Sequence, residues 1–97
     1  MRVWVAADAE GLRALRAGDP LPGERIVAQS EDEEHEHDAL LTAAESGSVV
    51  VVAEVRDEED LTLDLVQAFH LDADGSGDLA WYATQELDDV LAQLTAT

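Results

Sequence analysis

The sequence predicts a small α/β domain in which helices pack on a mixed sheet of about four strands, in the element order βαβαββα. Segments rich in β-branched residues alternate along the chain with segments whose apolar residues recur every three or four positions. The chain has 97 residues and a hydrophobic content of 46%, which is enough for one modest core and too little for two. We therefore expect residues 1–97 to form a single domain.

The first strand and the first helix follow from the N-terminal residues. Residues 2–7 alternate valines with other side chains, a period of two that favours a strand. Asp8 is placed to cap a short helix with a thin apolar edge made of Leu12 and Leu15. Pro20 follows shortly after this helix and marks its end.

A second strand and a second helix are predicted next. Residues 24–29 favour a short strand after a Pro-Gly turn. Ser30 and Glu33 have the spacing of a capping box, so a helix should begin there. Six of the eight residues from 31 to 38 are acidic, and these neighbours repel each other along the helix. The helix should therefore depend on packing by four apolar residues, namely Leu40, Leu41, Ala43 and Ala44.

The second half of the chain predicts two strands and a helix. Residues 48–55 form a continuous apolar run typical of a central strand. Residues 61–71 alternate with a period of two, most securely over 66–71, and predict an antiparallel neighbour. A loop at residues 72–78 leads into a helix over 79–94, whose apolar stripe covers about one third of its circumference.

Trp81 does not lie on that stripe, which leaves two alternatives for its ring. In the one we prefer, the helix begins near Trp81 and its first turn bends the ring back onto the first strand near Trp4. In the other, the ring is exposed and forms the centre of an interface with a partner protein or a second copy of the chain.

Charge and composition exclude several classes of function. There are 23 acidic residues against 5 basic ones, all Arg, and the formal net charge is −18. Such a surface repels phosphates and anionic lipids, so we expect neither direct nucleic-acid binding nor membrane binding. The sequence contains no apolar run of the ~20 residues that span a bilayer, and its N-terminus turns acidic too early for a signal peptide. Together with the absence of Cys, this predicts a cytoplasmic protein.

Three segments resemble a small actinobacterial protein family of unknown function. They are M-R-V-W-V-A at residues 1–6, E-E-H-E-H-D-A-L-L-T-A-A at residues 33–44, and F-H-L-D followed by D-L-A-W-Y-A-T-Q-E-L at residues 69–72 and 78–87. The chain departs from the family pattern at Ala6, where Pro is usual, and in a shortened segment before the last helix. The resemblance implies a bacterial origin and a shared fold, and it lends no catalytic residue.

The acidic loop at residues 72–78 imitates the start of an EF-hand calcium loop. Oxygen donors stand at the expected places, and the candidate metal ligands are Asp72, Asp74, Ser76 and Asp78. Ala83, however, occupies the position at which an EF-hand has its bidentate Glu. We therefore expect a solvated turn that does not bind calcium specifically.

No other pattern points to chemistry. His35 and His37 are two residues apart, so on a helix they point to nearly opposite sides and cannot chelate one ion. His70 is the remaining His, and we expect it to share a strand face with Asp72. The nucleophile-elbow, phosphate-loop and dinucleotide-loop motifs are absent from the sequence. We predict no catalytic residue and no cofactor.

These observations favour a small acidic protein-interaction or accessory domain without catalytic activity, in which Trp81 and Tyr82 contact the partner. A first alternative is an acidic decoy that mimics nucleic acid and occupies a basic surface on another protein, because −18 on so small a body approaches a dense phosphate charge. A second alternative is a degenerate EF-hand-like calcium loop at residues 72–78.

Overall fold

A computed structural model describes residues 1–56, 59–72 and 78–95, and these form a four-stranded sheet with helices on both faces. The α/β class and the helices packed on four strands are thus confirmed. In chain order the elements are β1 (Arg2–Ala7), α1 (Ala9–Arg16), α2 (Glu33–Ala44), β2 (Val49–Glu54), β3 (Val66–Leu71), β4 (Ala80–Ala83) and α3 (Leu87–Thr95). Single 3₁₀ turns at Leu63–Leu65 and Thr84–Glu86 precede β3 and α3.

The strands lie in the order β1-β2-β3-β4, and every neighbouring pair is antiparallel. The sequence predicted a mixed sheet, and this is wrong because the described strands form an antiparallel sheet. Two helices, rather than one, connect β1 to β2, so the chain re-enters the sheet at the end where it left. Ala7 at the end of β1 consequently faces Val49 at the start of β2. As predicted, β2 is central and β3 is its antiparallel neighbour.

The segment 24–29 is not a strand, so the prediction of a short second strand at these residues is wrong. Ile26 alone pairs with β1, through two backbone hydrogen bonds of 2.9 Å with Trp4. Val27 beside it is 50% exposed, so the segment lacks the second buried position that would hold a longer ladder. The contact still covers part of the outer edge of β1.

The predicted helix over 79–94 is divided in the structure. Residues Ala80–Ala83 are strand β4, and the α-helix begins only at Leu87. The backbone of β4 pairs with β3, and the Thr84 hydroxyl donates a 2.7 Å hydrogen bond to the Val66 carbonyl where the strand ends. The predicted apolar stripe is retained in the second half of the segment, where Leu87, Val90 and Leu91 are buried.

Each face of the sheet carries its own hydrophobic cluster. Helices α1 and α3 cover one face, and α1 is capped as expected by Asp8, which accepts a 2.9 Å hydrogen bond from the Gly11 N–H. Helix α2 covers part of the other face. The larger cluster includes Val3, Val5, Leu12, Leu15, Val51, Phe69, Leu87 and Val90, and the smaller one includes Trp4, Ala39, Leu40, Ala43, Val50, Val52 and Ala68.

Helix α2 differs from the expectation at its start and on its packing face. It begins at Glu33, because the Ser30 hydroxyl accepts a 3.1 Å hydrogen bond from the Asp32 N–H instead of capping a longer helix. Leu40 is buried as predicted, whereas Leu41 is 44% exposed. Arg2 of β1 contacts the helix through a 3.0 Å ion pair with Glu36.

Gly47 generates a test of the turn between α2 and β2. A Cβ atom at Gly47 would lie 2.8 Å from the Ala7 carbonyl oxygen and 2.9 Å from the Ala7 nitrogen. Since these neighbours are backbone atoms of a buried strand, they have little room to move. We expect Gly47→Ala to lower the free energy of unfolding by about 1–3 kcal/mol, as overpacking does, in urea denaturation.

The matched control is Ser46→Ala at the preceding exposed position, which should change the free energy of unfolding by less than about 0.5 kcal/mol. Equal midpoints for the two variants would contradict the close approach of Gly47 to β1.

Candidate functional site

The face of the sheet that α2 covers is only partly closed. Helix α2 lies against β1 and β2, and the same face continues across β3 and β4. His70 of β3 stands directly opposite Trp81 of β4, and both follow Val50 of β2 in the same cross-strand row. We call the surface formed by Leu41, His70, Leu79 and Trp81 the open face.

Trp81 is the most exposed large apolar side chain in the part of the chain that the structure describes, at 61%. The alternative that we preferred from the sequence, a ring folded onto Trp4, is wrong. Trp4 is 5% exposed and lies on β1, and β2 and β3 separate it from Trp81. The ring is exposed because residue 81 is in a strand, and the alternation of that strand directs it away from the larger core.

Tyr82 lies on the opposite side of β4 from Trp81. It is half-buried and packs against the larger core cluster, opposite Phe69 of β3. The expected pair of exposed aromatic residues is therefore reduced to Trp81. The open face also contains two apolar residues that the sequence did not predict to lie on a surface. They are Leu41, which is 44% exposed, and Leu79, which is half-buried.

His70 lies at the centre of the open face. It lines a depression of about 210 Å³ together with Leu41, Ala44, Val50, Asp72 and Leu79. Its Nδ1 atom is buried and has no hydrogen-bond partner among the described residues. Burial lowers the pKa of His70 below its ordinary value of 6.5, so the ring is neutral at pH 7. His70 and Asp72 line the same depression, but they do not share a strand face as predicted, because β3 ends at Leu71.

The candidate calcium ligands are described only in part. Asp72 and Asp78 belong to the described ranges, whereas Asp74 and Ser76 lie outside them. Within the described ranges, no group of three or more acidic or His side chains is placed to hold a metal ion. His35 lies 2.6 Å from the Ser30 hydroxyl through its Nδ1 atom, while His37 is exposed. Metal binding at residues 72–78 stays a prediction.

A depression of about 610 Å³ lies near the N-terminus. Four of its charged groups are paired with one another. Arg2 lies 3.0 Å from Glu36 and 3.6 Å from Glu54, and the Met1 amino group lies 3.2 Å from Glu54. Because these four charged groups already have partners, they are engaged within the fold rather than offered to a ligand.

The segment that carries Trp81 is acidic in sequence. Residues 78–95, which contain β4 and α3, include no basic residue and four acidic ones, namely Asp78, Glu86, Asp88 and Asp89. Arg16 of α1 forms a 3.3 Å ion pair with Asp88. Asp88 and Asp89 lie on α3, which packs on the opposite face of the sheet from Trp81, so the open face is linked to negative charge only through the net −18 of the whole chain.

Comparisons with models of protein families, with curated proteins and with solved structures found no match for this chain. The family resemblance and the bacterial origin therefore stay predictions. In the described part of the chain, every helix is too short or too polar to cross a bilayer.

The charge distribution predicts a response to salt. The described residues form few ion pairs, and the formal net charge is −18. Raising NaCl from low concentration to about 0.5 M shortens the Debye length to a few ångströms and screens the repulsion between acidic residues. We expect the thermal midpoint to rise, measured by circular dichroism. A flat or falling midpoint would indicate that the acidic residues are compensated in pairs or by a bound ion.

His70 predicts a response to pH. The unfolded chain takes up a proton at His70 near pH 6.5, whereas the folded protein does so only at lower pH. Stability contributed by the neutral ring is complete above pH 6.5 and is lost as the pH falls towards the lowered pKa. We expect urea midpoints to decrease from pH 7.5 to pH 6 more steeply in the wild type than in His70→Gln. Equal slopes would contradict a desolvated His70.

Proposed function

We propose that this protein is a small interaction domain without catalytic activity, and that Trp81 on the open face is the anchor for a partner protein. The observation that carries the proposal is the exposure of this ring, 61%, on a regular strand beside Leu41 and Leu79. Exposed Trp residues are rare on surfaces that stay solvated, and they are enriched at the centres of interfaces.

The partner that we propose is a protein with a positively charged surface. The net charge of −18 attracts such a surface and speeds its association. A second copy of the chain is a weaker candidate, since two domains with a net charge of −18 each repel one another. A cytoplasmic location and the absence of direct nucleic-acid binding belong to the same proposal. The negative charge supports the second, because it repels phosphate.

The acidic decoy is the second candidate, and the start of α2 favours it. Five acidic residues lie exposed along this short stretch, namely Glu31, Asp32, Glu33, Glu34 and Asp38. A row of like charges can imitate a phosphate backbone towards a nucleic-acid-binding protein. In this case affinity would depend on α2 rather than on Trp81, and it would fall steeply with ionic strength.

Substitution of the anchor tests the proposal. Trp81→Ala should lower the free energy of unfolding by less than about 1 kcal/mol, because the ring is mostly exposed. It should weaken association with the partner by roughly thirtyfold or more, as loss of a hot-spot residue does. The partner would be isolated from lysate of the source organism at low and high salt, purified, and its affinity measured by calorimetry.

Val27→Ala is the matched control, since Val27 is an apolar residue that is 50% exposed away from the open face. It should bind like the wild type. Unchanged affinity of Trp81→Ala, with binding lost above about 0.5 M NaCl as screening predicts, would reject the anchor and support the decoy. A stability loss of about 3–5 kcal/mol would show that the ring belongs to the core instead.

A further inference from the structure

The two edges of the sheet differ in whether another segment of the chain pairs with the edge strand. At the β1 edge, Ile26 exchanges two hydrogen bonds of 2.9 Å with Trp4. At the other edge, β3 is the only strand that pairs with β4 in the ranges that the structure describes, and no further backbone hydrogen bond there involves residues 80–83. Every second residue of an antiparallel strand turns its N–H and C=O away from its neighbour, so β4 presents about two such pairs outward.

The sequence of β4 does not protect this edge. Natural sheets guard free edges with Lys, Pro, bulges or inward-pointing charges, because an open edge pairs with other strands. Ala80–Ala83 contains neither a charged residue nor a proline, and its register with β3 is regular over all four residues. Trp81 stands in the middle of the strand, so a strand added at the edge would lie alongside its ring.

We propose that the partner binds by strand addition: an extended segment rich in Lys or Arg pairs with the outer edge of β4 and packs its apolar side chains on Trp81. This inference rests on the proposed function and names its binding mode. The occupant is basic because the formal net charge of the protein is −18, which attracts a positively charged segment. The same charges oppose the pairing of β4 with β4 of a second copy.

The probe is a capped peptide of alternating Lys and Val, about eight residues long, which is roughly the length of one strand. Its binding to the intact protein is followed by NMR, through the Trp81 indole signal and through hydrogen exchange of the backbone amides. Binding should shift the indole signal and slow exchange of the outward-facing amides of Ala80–Ala83. The buried ring of Trp4 provides an internal reference, since its signal should not move.

Four matched peptides separate the contributions. Two of them are N-methylated, each along one edge of the peptide strand, which removes the backbone donors of that edge without changing the charge. The peptide whose pairing edge is blocked should bind more weakly, by roughly fivefold for each hydrogen bond lost. A peptide with Glu in place of Lys should not bind. A peptide with Thr in place of Lys should bind more weakly than the Lys peptide.

The outcomes distinguish the two proposals. If both N-methylated peptides bind like the parent and still shift the Trp81 signal, strand addition is overturned while the basic partner and the anchor stand. If the Lys peptide shifts signals of α2 and leaves Trp81 unchanged, the proposed function fails as well. The last experiment is analytical ultracentrifugation of the protein alone. A dimer that dissociates in the Trp81→Ala variant would identify a second copy as the occupant and overturn the proposal of a basic partner segment.

Discussion

The burial of β2 on both faces is the constraint on which the rest of the structure depends. Val49 to Ala53 are all buried, so each side of the sheet must be covered near this strand. An α-helix is about 10 Å wide and neighbouring strands are about 4.8 Å apart, so one helix covers about two strands. Two helices, α1 and α3, close one face, while α2 is alone on the other. The β3–β4 half of that face is left open as a result.

The negative charge acts on a different scale from this packing. The hydrophobic clusters contain no charged side chain among the described residues, so the acidic residues remain solvated and repel each other only through a screened medium. The fold therefore tolerates the charge at a modest cost in stability. In the binding that we propose, the same charge acts over a longer range, because it would attract basic surfaces before any contact with Trp81 forms.

The sequence predicts most of the core and misjudges the open face, for a physical reason. The valine run of β2 and the cap at Asp8 are decided by local residues, and both agree with the structure. Residues 79–83 satisfy two patterns at once, since their apolar side chains continue the stripe of α3 and also fit a short strand. Pairing with β3, which is tertiary, selects the strand. Leu41 was predicted to pack but is exposed because it lies towards the β3–β4 half of this face, where no described helix packs beside α2.

The exposure of Trp81 follows from the burial of Tyr82. Adjacent residues of a strand point to opposite faces, so a strand that turns Tyr82 towards Phe69 must turn Trp81 towards the other side. A helix over the same residues would have separated the two rings by only about 100°. The pairing that completes the larger core thus places a Trp on the one part of the sheet that no described helix covers. A small side chain at residue 81 would satisfy the fold nearly as well as Trp does. The exposed Trp at this position is therefore an argument for binding rather than for stability.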